Sequence, residues 1–214
     1  VCLYICGLGY HKAYLNGMEL DVSALDPAHS DYTKTCYYSV IPIDPSLLRK
    51  GDNTLGVIVA EGWRHNDSGM VTTALGDRKV AFFGPQQLAA RLELFMPDGG
   101  SELIETGSDW LCTNGGIISS GIYDGESYDA SEEIVGWNLP GKVPKGFEKA
   151  VILPPPGGKL QPMTLEPVRE CQVFEPVEIY SVGPGAHIVD FGQNLAGVVR
   201  LRMPDNLEYG RTIT

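Results

Sequence analysis

The most regular hydrophobic pattern in the chain lies between Gln87 and Met96, where apolar side chains occupy every second position from 88 to 96. Alternation with a period of two predicts a β-strand that buries one face. The turn-forming residues Pro97 to Gly100 follow, so Ser101 to Glu105 is predicted to pair back as a hairpin partner.

The first sixty residues predict further short strands. Asn16-Gly17 is a strong hairpin signal, because both residues tolerate the positive φ angles of a tight two-residue turn. The nearly continuous apolar run Thr54 to Ala60 predicts a central strand. A short helix is predicted from Asp44, as the cap, to Gly51, as the stop. Other predicted strands cover residues 1–9, 12–15, 18–24, 35–43, 164–180, 186–191 and 197–203.

These elements predict an all-β fold. The sequence has no long amphipathic helix and no alternation of strands with helices, which argues against α/β folds and helical bundles. Two packed antiparallel sheets in a jelly-roll-like β-sandwich satisfy the pattern. The break Pro154 to Gly158 predicts two domains, residues 1–158 and the start of a second β-sandwich at residues 159–214. Strand-like residues at both termini lead us to expect a piece of a larger protein.

Composition narrows the function classes. The 214 residues carry a formal net charge of −11. A surface with that charge repels phosphate backbones and anionic lipids, so neither nucleic acid nor membrane is an expected partner. No apolar run is long enough to cross a bilayer.

The five cysteines form no Cys-x-x-Cys pair, so a structural zinc site is not expected. One interpretation treats them as buried thiols that act as small hydrophobes. The other is a disulfide that joins Cys2 or Cys6 to Cys36 or Cys112.

Two acidic residues form the first candidate site. Asp124 and Glu126 lie two positions apart, so on a strand they share a face about 7 Å apart. That separation falls within the range of the carboxyl pair of inverting glycosidases. The same oxygens suit a calcium ion. The alternative is an acidic turn on a solvated face, and many pairs of carboxylates lie two positions apart by chance.

The second candidate begins where the apolar run Thr54 to Ala60 ends. Trp63, with Asn66 and Asp67 beyond it, combines an aromatic platform with planar polar groups, which is the mixture that a sugar site needs. The alternative is a tryptophan that covers a sheet edge ahead of a turn. Gly62 to Phe83 is predicted to be a long loop. A third motif, Asp190 to Gly197, is interpreted as a structural turn.

An ordered set of short motifs resembles the N-terminal β domain of bacterial α-L-rhamnosidases. The motifs are Leu8-Gly9-Tyr10, Tyr14-Leu15-Asn16-Gly17, Leu25-Asp26-Pro27, Asp31-Tyr32, Leu55-Gly56-Val57, Gly62-Trp63, Ile122-Tyr123-Asp124-Gly125-Glu126, Tyr128-Asp129-Ala130 and Gly136-Trp137. Two later motifs, Asp190-Phe191-Gly192-Gln193-Asn194 and Ala196-Gly197, resemble the start of that family's concanavalin-like β domain.

The resemblance implies a parent enzyme that hydrolyses terminal α-L-rhamnosides with inversion, using acidic residues of a C-terminal helical barrel. No part of this sequence looks like that barrel, so we assign no catalytic residue and expect no activity from this chain alone. The implied partners are the catalytic domain and rhamnose-containing glycans. The compartment stays open among bacterial cytoplasm, periplasm and secretion.

Some members of the family bind rhamnose in the N-terminal domain with the help of calcium. The resemblance therefore predicts a carbohydrate site at Trp63, Asn66, Asp67, Asp124 and Glu126, with no required cofactor and calcium as an optional ion. Two alternatives remain. The chain is a purely structural accessory domain with no ligand, or it is a self-contained glycosidase that uses Asp124 and Glu126.

Overall fold

A computed structural model of the chain describes residues 1–20, 23–64, 84–123, 125–141, 143–203, 210 and 212–214. These residues form sixteen strands and two short 3₁₀ helices, Pro45–Leu47 and Ala130–Glu132. The strands are β1 Cys2–Leu8, β2 Tyr10–Leu15, β3 Met18–Glu19, β4 Ser23–Ala24, β5 Thr35–Pro42, β6 Leu55–Ala60, β7 Gln87–Phe95, β8 Ser101–Glu105, β9 Leu111–Cys112, β10 Ile117–Gly121, β11 Gly125–Tyr128, β12 Glu148–Lys149, β13 Lys159–Pro162, β14 Val168–Arg169, β15 Glu178–Gly183 and β16 Ala186–Asp190.

Two sheets carry the fold. A five-stranded sheet has the order β13-β5-β1-β7-β8, and a three-stranded sheet has the order β3-β2-β6. All pairs are antiparallel except β13 with β5, which is parallel. The main core contains side chains from both sheets: Leu3, Ile5, Ala13, Leu15, Ile41, Ile43, Ala90 and Leu92. The prediction of an all-β, antiparallel sandwich fold is confirmed.

The central strand β1 supplies two cores. Leu3 and Ile5 enter the main core, whereas Cys6 and Leu8 enter a second core together with two residues of the β4–β5 region. Successive side chains of a strand alternate between faces, so the second core lies on the opposite face of the five-stranded sheet. We define the second core as the buried residues Cys6, Leu8, Tyr32 and Cys36.

Strand β7 agrees with its hydrophobic pattern. Ala90 and Leu92 are buried in the main core, and Leu88 and Leu94 pack against it. Strand β8 pairs back on β7, with Phe95 opposite Ser101. The predicted hairpin is confirmed.

The predicted turn at Asn16-Gly17 is also confirmed. Both residues have positive φ angles, 53° and 86°, and Leu15 pairs with Met18 across the turn. The buried Asn16 carboxamide donates to the Leu47 carbonyl at 2.9 Å. It thereby ties the hairpin to the 3₁₀ helix.

That 3₁₀ helix is shorter than predicted. The Asp44 carboxylate caps it by accepting from the Ser46 N–H at 2.8 Å, and this hydrogen bond lowers the pKa of Asp44. The helix ends at Leu47, well before Gly51. The cap at Asp44 is confirmed, but the predicted helix is only a three-residue 3₁₀ turn.

Four strand predictions need correction. The predicted strand 164–180 contains only the two-residue strand β14 and the first three residues of β15. Among the described residues, β6 pairs only with β2, so Leu55–Ala60 lies at one end of its sheet and is not a central strand there. The predicted strand 18–24 contains two separate two-residue strands, β3 and β4, and residues 21–22 lie outside the described part. Gly197–Met203 forms no strand in the structure as described, and Val198 and Val199 are exposed.

The chain divides into two units, Val1–Arg169 and Glu170–Thr214. The first unit contains both cores. It also contains β13 and β14, although the proline break assigned residues after 158 to the second predicted domain. The second unit contains the hairpin β15–β16, a turn in which the Gly192 N–H donates to the Asp190 carboxylate at 2.7 Å, and an exposed ion pair between Arg200 and Glu170.

All five cysteines are free thiols. Cys6 and Cys36 are buried, in agreement with the interpretation as small hydrophobes, while Cys112 and Cys171 are exposed. The alternative disulfide is not formed in the structure. Of the helices that the structure describes, none has the length and apolar character that a bilayer crossing requires.

Candidate functional site

Trp63 lies just beyond the end of β6, where two glycines allow the backbone to pass close to β1 and β2. A Cβ atom added to Gly9 would collide with the Glu61 carbonyl, and one added to Gly62 would lie 3.0 Å from the Gly9 Cα. Gly62 also has a φ of 55°, which glycine adopts without strain. The close approach fixes where Trp63 leaves the sheet.

The Trp63 indole contacts two other rings. The His29 ring centroid lies 4.9 Å away at an interplanar angle of 54°, and the Tyr123 centroid lies 5.8 Å away at 89°. The Trp63–Tyr123 pair is edge-to-face, an arrangement that contributes about 0.5–1.5 kcal/mol beyond the buried area. We call Trp63, His29 and Tyr123 the aromatic cluster. Trp63 is half-buried, and the other two side chains are exposed.

The aromatic cluster rests on the second core. Trp63 packs against this core, which includes Tyr32. The Arg64 guanidinium, itself buried, lies 5.9 Å from the Tyr32 ring centroid, within cation–π range. Gly84 leaves room for this guanidinium, because a Cβ atom there would overlap it, and the Gly84 N–H donates to the Arg64 carbonyl at 2.9 Å.

The electrostatics of this region reflect a dry interior. Burial raises the pKa of Cys6 to about 12, and the neighbouring Cys36 adds to the effect. Burial also raises the pKa of Tyr32 and of Tyr10, and a hydrogen bond with Trp63 partly offsets the rise at Tyr10. These groups are therefore uncharged at neutral pH.

A buried carboxylate holds the segment that carries His29 and Tyr32. Asp26 accepts from the Ser39 hydroxyl at 2.7 Å and from the Ser23 hydroxyl at 3.0 Å. Its carbonyl accepts from the His11 N–H at 2.8 Å, which ties the segment to β2. Asp26 thus acts as a structural anchor beneath the aromatic cluster.

We call Asp124 and Glu126 the acidic motif, and the hairpin β10–β11, which carries Glu126, contacts the segment that bears Trp63. The Glu61 N–H donates to the Ser120 hydroxyl at 3.2 Å, and Ser120 pairs with Glu126 across the hairpin. Tyr123 lies in the connection between the two strands and reaches the Trp63 ring. The structure therefore places Glu126 on the element that contacts Trp63, although its own side chain is exposed.

Three of the predicted site residues, Asn66, Asp67 and Asp124, lie outside the described residues. Within the described ranges, no group of three or more His, Cys, Asp or Glu side chains is arranged to hold a metal ion. The predicted carboxylate spacing and the calcium ion stay predictions.

The sequence reasoning missed His29 as a neighbour of Trp63. Nothing in its local sequence marks it, because the contact depends on the fold of the loop between β4 and β5. Tyr123 carried a usable signal, since it directly precedes the acidic motif.

Comparison with known proteins adds an independent observation. Residues 1–172 match the family model described as the α-L-rhamnosidase N-terminal domain. An α-L-rhamnosidase of Formosa agariphila is 32% identical over 203 residues, which cover 95% of this chain and 21% of the relative. One of Streptomyces avermitilis is 33% identical over 213 residues, which cover 94% of this chain and 19% of the relative.

Solved structures give the same result. The α-L-rhamnosidase from Dictyoglumus thermophilum matches 90% of this chain and 20% of its own, with a TM-score of 0.79 and 33% identity. The Streptomyces avermitilis α-L-rhamnosidase complexed with L-rhamnose matches 91% of this chain and 18% of its own, with a TM-score of 0.78 and 30% identity. The chain thus spans about a fifth of the length of the proteins that it matches.

Proposed function

Because this chain belongs to the α-L-rhamnosidase N-terminal domain family, we propose that it is a non-catalytic β domain that supports the catalytic domain of an α-L-rhamnosidase and holds L-rhamnose at the aromatic cluster. The named activity of the relatives belongs to proteins about five times as long. Hydrolysis is therefore assigned to the part of such a protein that this chain does not cover.

The observation that carries the sugar proposal is the contact of Trp63 with Tyr123. It joins an aromatic platform to the hairpin that bears Glu126. Pyranose rings present C–H groups to aromatic faces while their hydroxyls bond to planar polar groups, and a carboxylate accepts two such hydroxyls. A relative crystallised with L-rhamnose makes that sugar the first ligand to test.

Affinity at this site is expected to be weak. His29 and Tyr123 are exposed, so most hydroxyls of a bound sugar would keep their hydrogen bonds to water. Calcium is proposed as an optional ion that binds carboxylate oxygens of the acidic motif, since Ca²⁺ prefers oxygen ligands.

The experiment follows the indole N–H signals in ¹⁵N–¹H NMR spectra while L-rhamnose is added, with and without calcium. The three tryptophans, Trp63, Trp110 and Trp137, are assigned by single Trp→Phe variants. We expect a saturable shift of the Trp63 signal and none at Trp110, which is not part of the aromatic cluster and whose indole N–H donates to the Glu105 carbonyl at 3.1 Å. A Trp63 signal that stays in place at tens of millimolar sugar, in both conditions, removes the sugar-binding function.

A purely structural role is the second candidate, and one observation favours it. Trp63 packs on the second core and contacts two rings, as a residue that only closes a core would. This role predicts that Tyr123→Ala, which removes an exposed side chain, changes stability but not the response of any tryptophan to rhamnose. A loss of the rhamnose response in folded Tyr123→Ala protein supports the sugar site instead.

A further inference from the structure

A turn at residues 134–139 lies against the face of the three-stranded sheet that points away from the core. Ala13 and Leu15 enter the main core, so Tyr14 between them points to the other face. Gly56, opposite Tyr14, shares that face. A Cβ atom added to Gly56 would lie 2.6 Å from Cζ3 of Trp137, so the indole occupies the space that a side chain would need.

The other end of this turn contacts the β2–β3 hairpin through Leu139. Leu139 lies on Gly17, where an added Cβ atom would be 2.6 Å from Cδ2 of Leu139. Trp137 is half-buried, whereas Leu139 is exposed. The Tyr14 ring meets it edge-on, with centroids 5.5 Å apart at 79°.

An ion pair lies on the same face of the sheet as Tyr14. The Lys12 ammonium lies 2.7 Å from the Glu19 carboxylate, and both side chains are partly exposed. Lys12 and Tyr14 are two positions apart on β2, and Glu19 is directly opposite Tyr14, so all three share the outer face. Burial raises the pKa of Tyr14, and the charge of Glu19 adds to this while that of Lys12 opposes it. The Tyr14 hydroxyl is thus neutral and close to both charges.

We propose that Trp137, Tyr14, Lys12 and Glu19 form a second saccharide site that takes a neutral pyranose. The exposed part of the indole supplies the apolar platform. The ion pair and the tyrosine hydroxyl present donors and acceptors side by side, as neighbouring sugar hydroxyls require. The ion pair has no net charge, so it favours neither an acidic nor an amino sugar.

This site is separate from the one at Trp63. The Tyr14–Gly56 pair lies four residues along β6 from Ala60, which is about 13 Å of extended strand, and Trp63 lies beyond Ala60. The inference therefore does not depend on rhamnose binding at the aromatic cluster. The same NMR spectra report on the two sites through different indole signals.

The test is a titration of the chain with methyl α-L-rhamnopyranoside and methyl α-D-mannopyranoside, observed at the Trp137 indole N–H. We expect a saturable shift with either glycoside and none with glycerol at equal concentration. Tyr14→Phe keeps the ring and removes the hydroxyl, and Glu19→Gln removes the charge. Each change is expected to weaken binding about fivefold, as the loss of one hydrogen bond does.

The matched control is Glu105→Gln, because Glu105 also pairs at 2.7 Å with a basic side chain, Arg91, on an exposed strand face. It should leave the Trp137 titration unchanged. A Trp137 signal that does not move, or that moves equally with glycerol, overturns the proposal. So does an equal effect of Glu105→Gln and Glu19→Gln.

Discussion

Single buried polar groups fix the loop that carries His29. The Asp26 carboxylate is buried and accepts hydrogen bonds from two serine hydroxyls, Ser23 and Ser39. A buried acceptor that loses a donor keeps its desolvation cost. The loop is therefore expected to depend on these serines.

Ser39→Ala should lower the free energy of unfolding by about 1–3 kcal/mol, because one buried donor to Asp26 is lost. Urea denaturation measures the change. Ser101→Ala, at an exposed position of β8, is the control and should stay within about 0.5 kcal/mol of the parent chain. Equal effects of the two substitutions would contradict the anchoring role of Asp26.

The buried thiol of Cys6 predicts a loss of stability in alkali. Its pKa is raised from 9.0 to about 12 in the folded protein, so the unfolded chain releases this proton first. The stabilisation is complete below about pH 9 and declines towards pH 12, by at most about 1.4 kcal/mol per pH unit. Between pH 9 and pH 12, the free energy of unfolding should fall less steeply with pH in Cys6→Ala than in the parent chain.

Burial also raises the pKa of Tyr32, so this tyrosine contributes to the same loss of stability at high pH. The contribution of Cys6 is therefore measured as a difference between variants. Cys171→Ala is the matched control, since that thiol is exposed. An unchanged slope in Cys6→Ala would show that the thiol is not protected by burial.

The structural roles of some single residues can be predicted from their local sequence, and those of others cannot. The Asn16-Gly17 turn and the Asp44 cap were predictable because their partners lie within a few residues. The candidate site was predictable only in part. Trp63 and the Tyr123 motif could be proposed from composition, whereas His29 reaches Trp63 only through the fold.

Among the elements, the β2–β3 turn shows whether Leu139 packs against the outer face of the three-stranded sheet. Gly17 and Gly99 have the same φ of 86°, but only Gly17 has a neighbour, Leu139, where a Cβ would lie. Gly17→Ala should therefore destabilise slightly more than Gly99→Ala, because the exposed Leu139 side chain must also move aside, while Gly99→Ala bears only the left-handed strain of about 1–2 kcal/mol. Thermal or urea unfolding of the two variants measures the difference. Equal losses of stability would mean that Leu139 does not pack on the turn.

Hydrophobic patterns predicted strands where a partner sheet exists. Strand β7 alternates and lies between β1 and β8, so its pattern corresponds to real burial. Gly197–Met203 alternates as well but finds no partner strand among the described residues. A pattern states which face a strand would bury, and it contains no information about the strand that would cover it.

For the whole molecule, long-range pairing decides the division into units. The proline run Pro154 to Pro156 is a strong local break, yet the following strand β13 pairs in parallel with β5. That pair joins positions far apart in the sequence and leaves no local signal. The first unit consequently extends to Arg169.

The chain by itself is expected to be inactive. With an aryl α-L-rhamnoside as substrate, release of the phenol should not exceed the rate without protein, because we assign hydrolysis to the part of the relatives that this chain does not match. Turnover that disappears in Glu126→Gln would contradict this expectation and revive a glycosidase built on the acidic motif.

We propose that L-rhamnose lies against Trp63. The most direct test is the measurement of intermolecular NOEs between the sugar and the aromatic protons of the folded chain, with Trp110 as the internal control. We predict NOEs from the rhamnose methyl group and ring protons to Trp63 and Tyr123, the two rings in contact. NOEs absent from both rings at saturating sugar, in a spectrum of the folded protein, would contradict the claim.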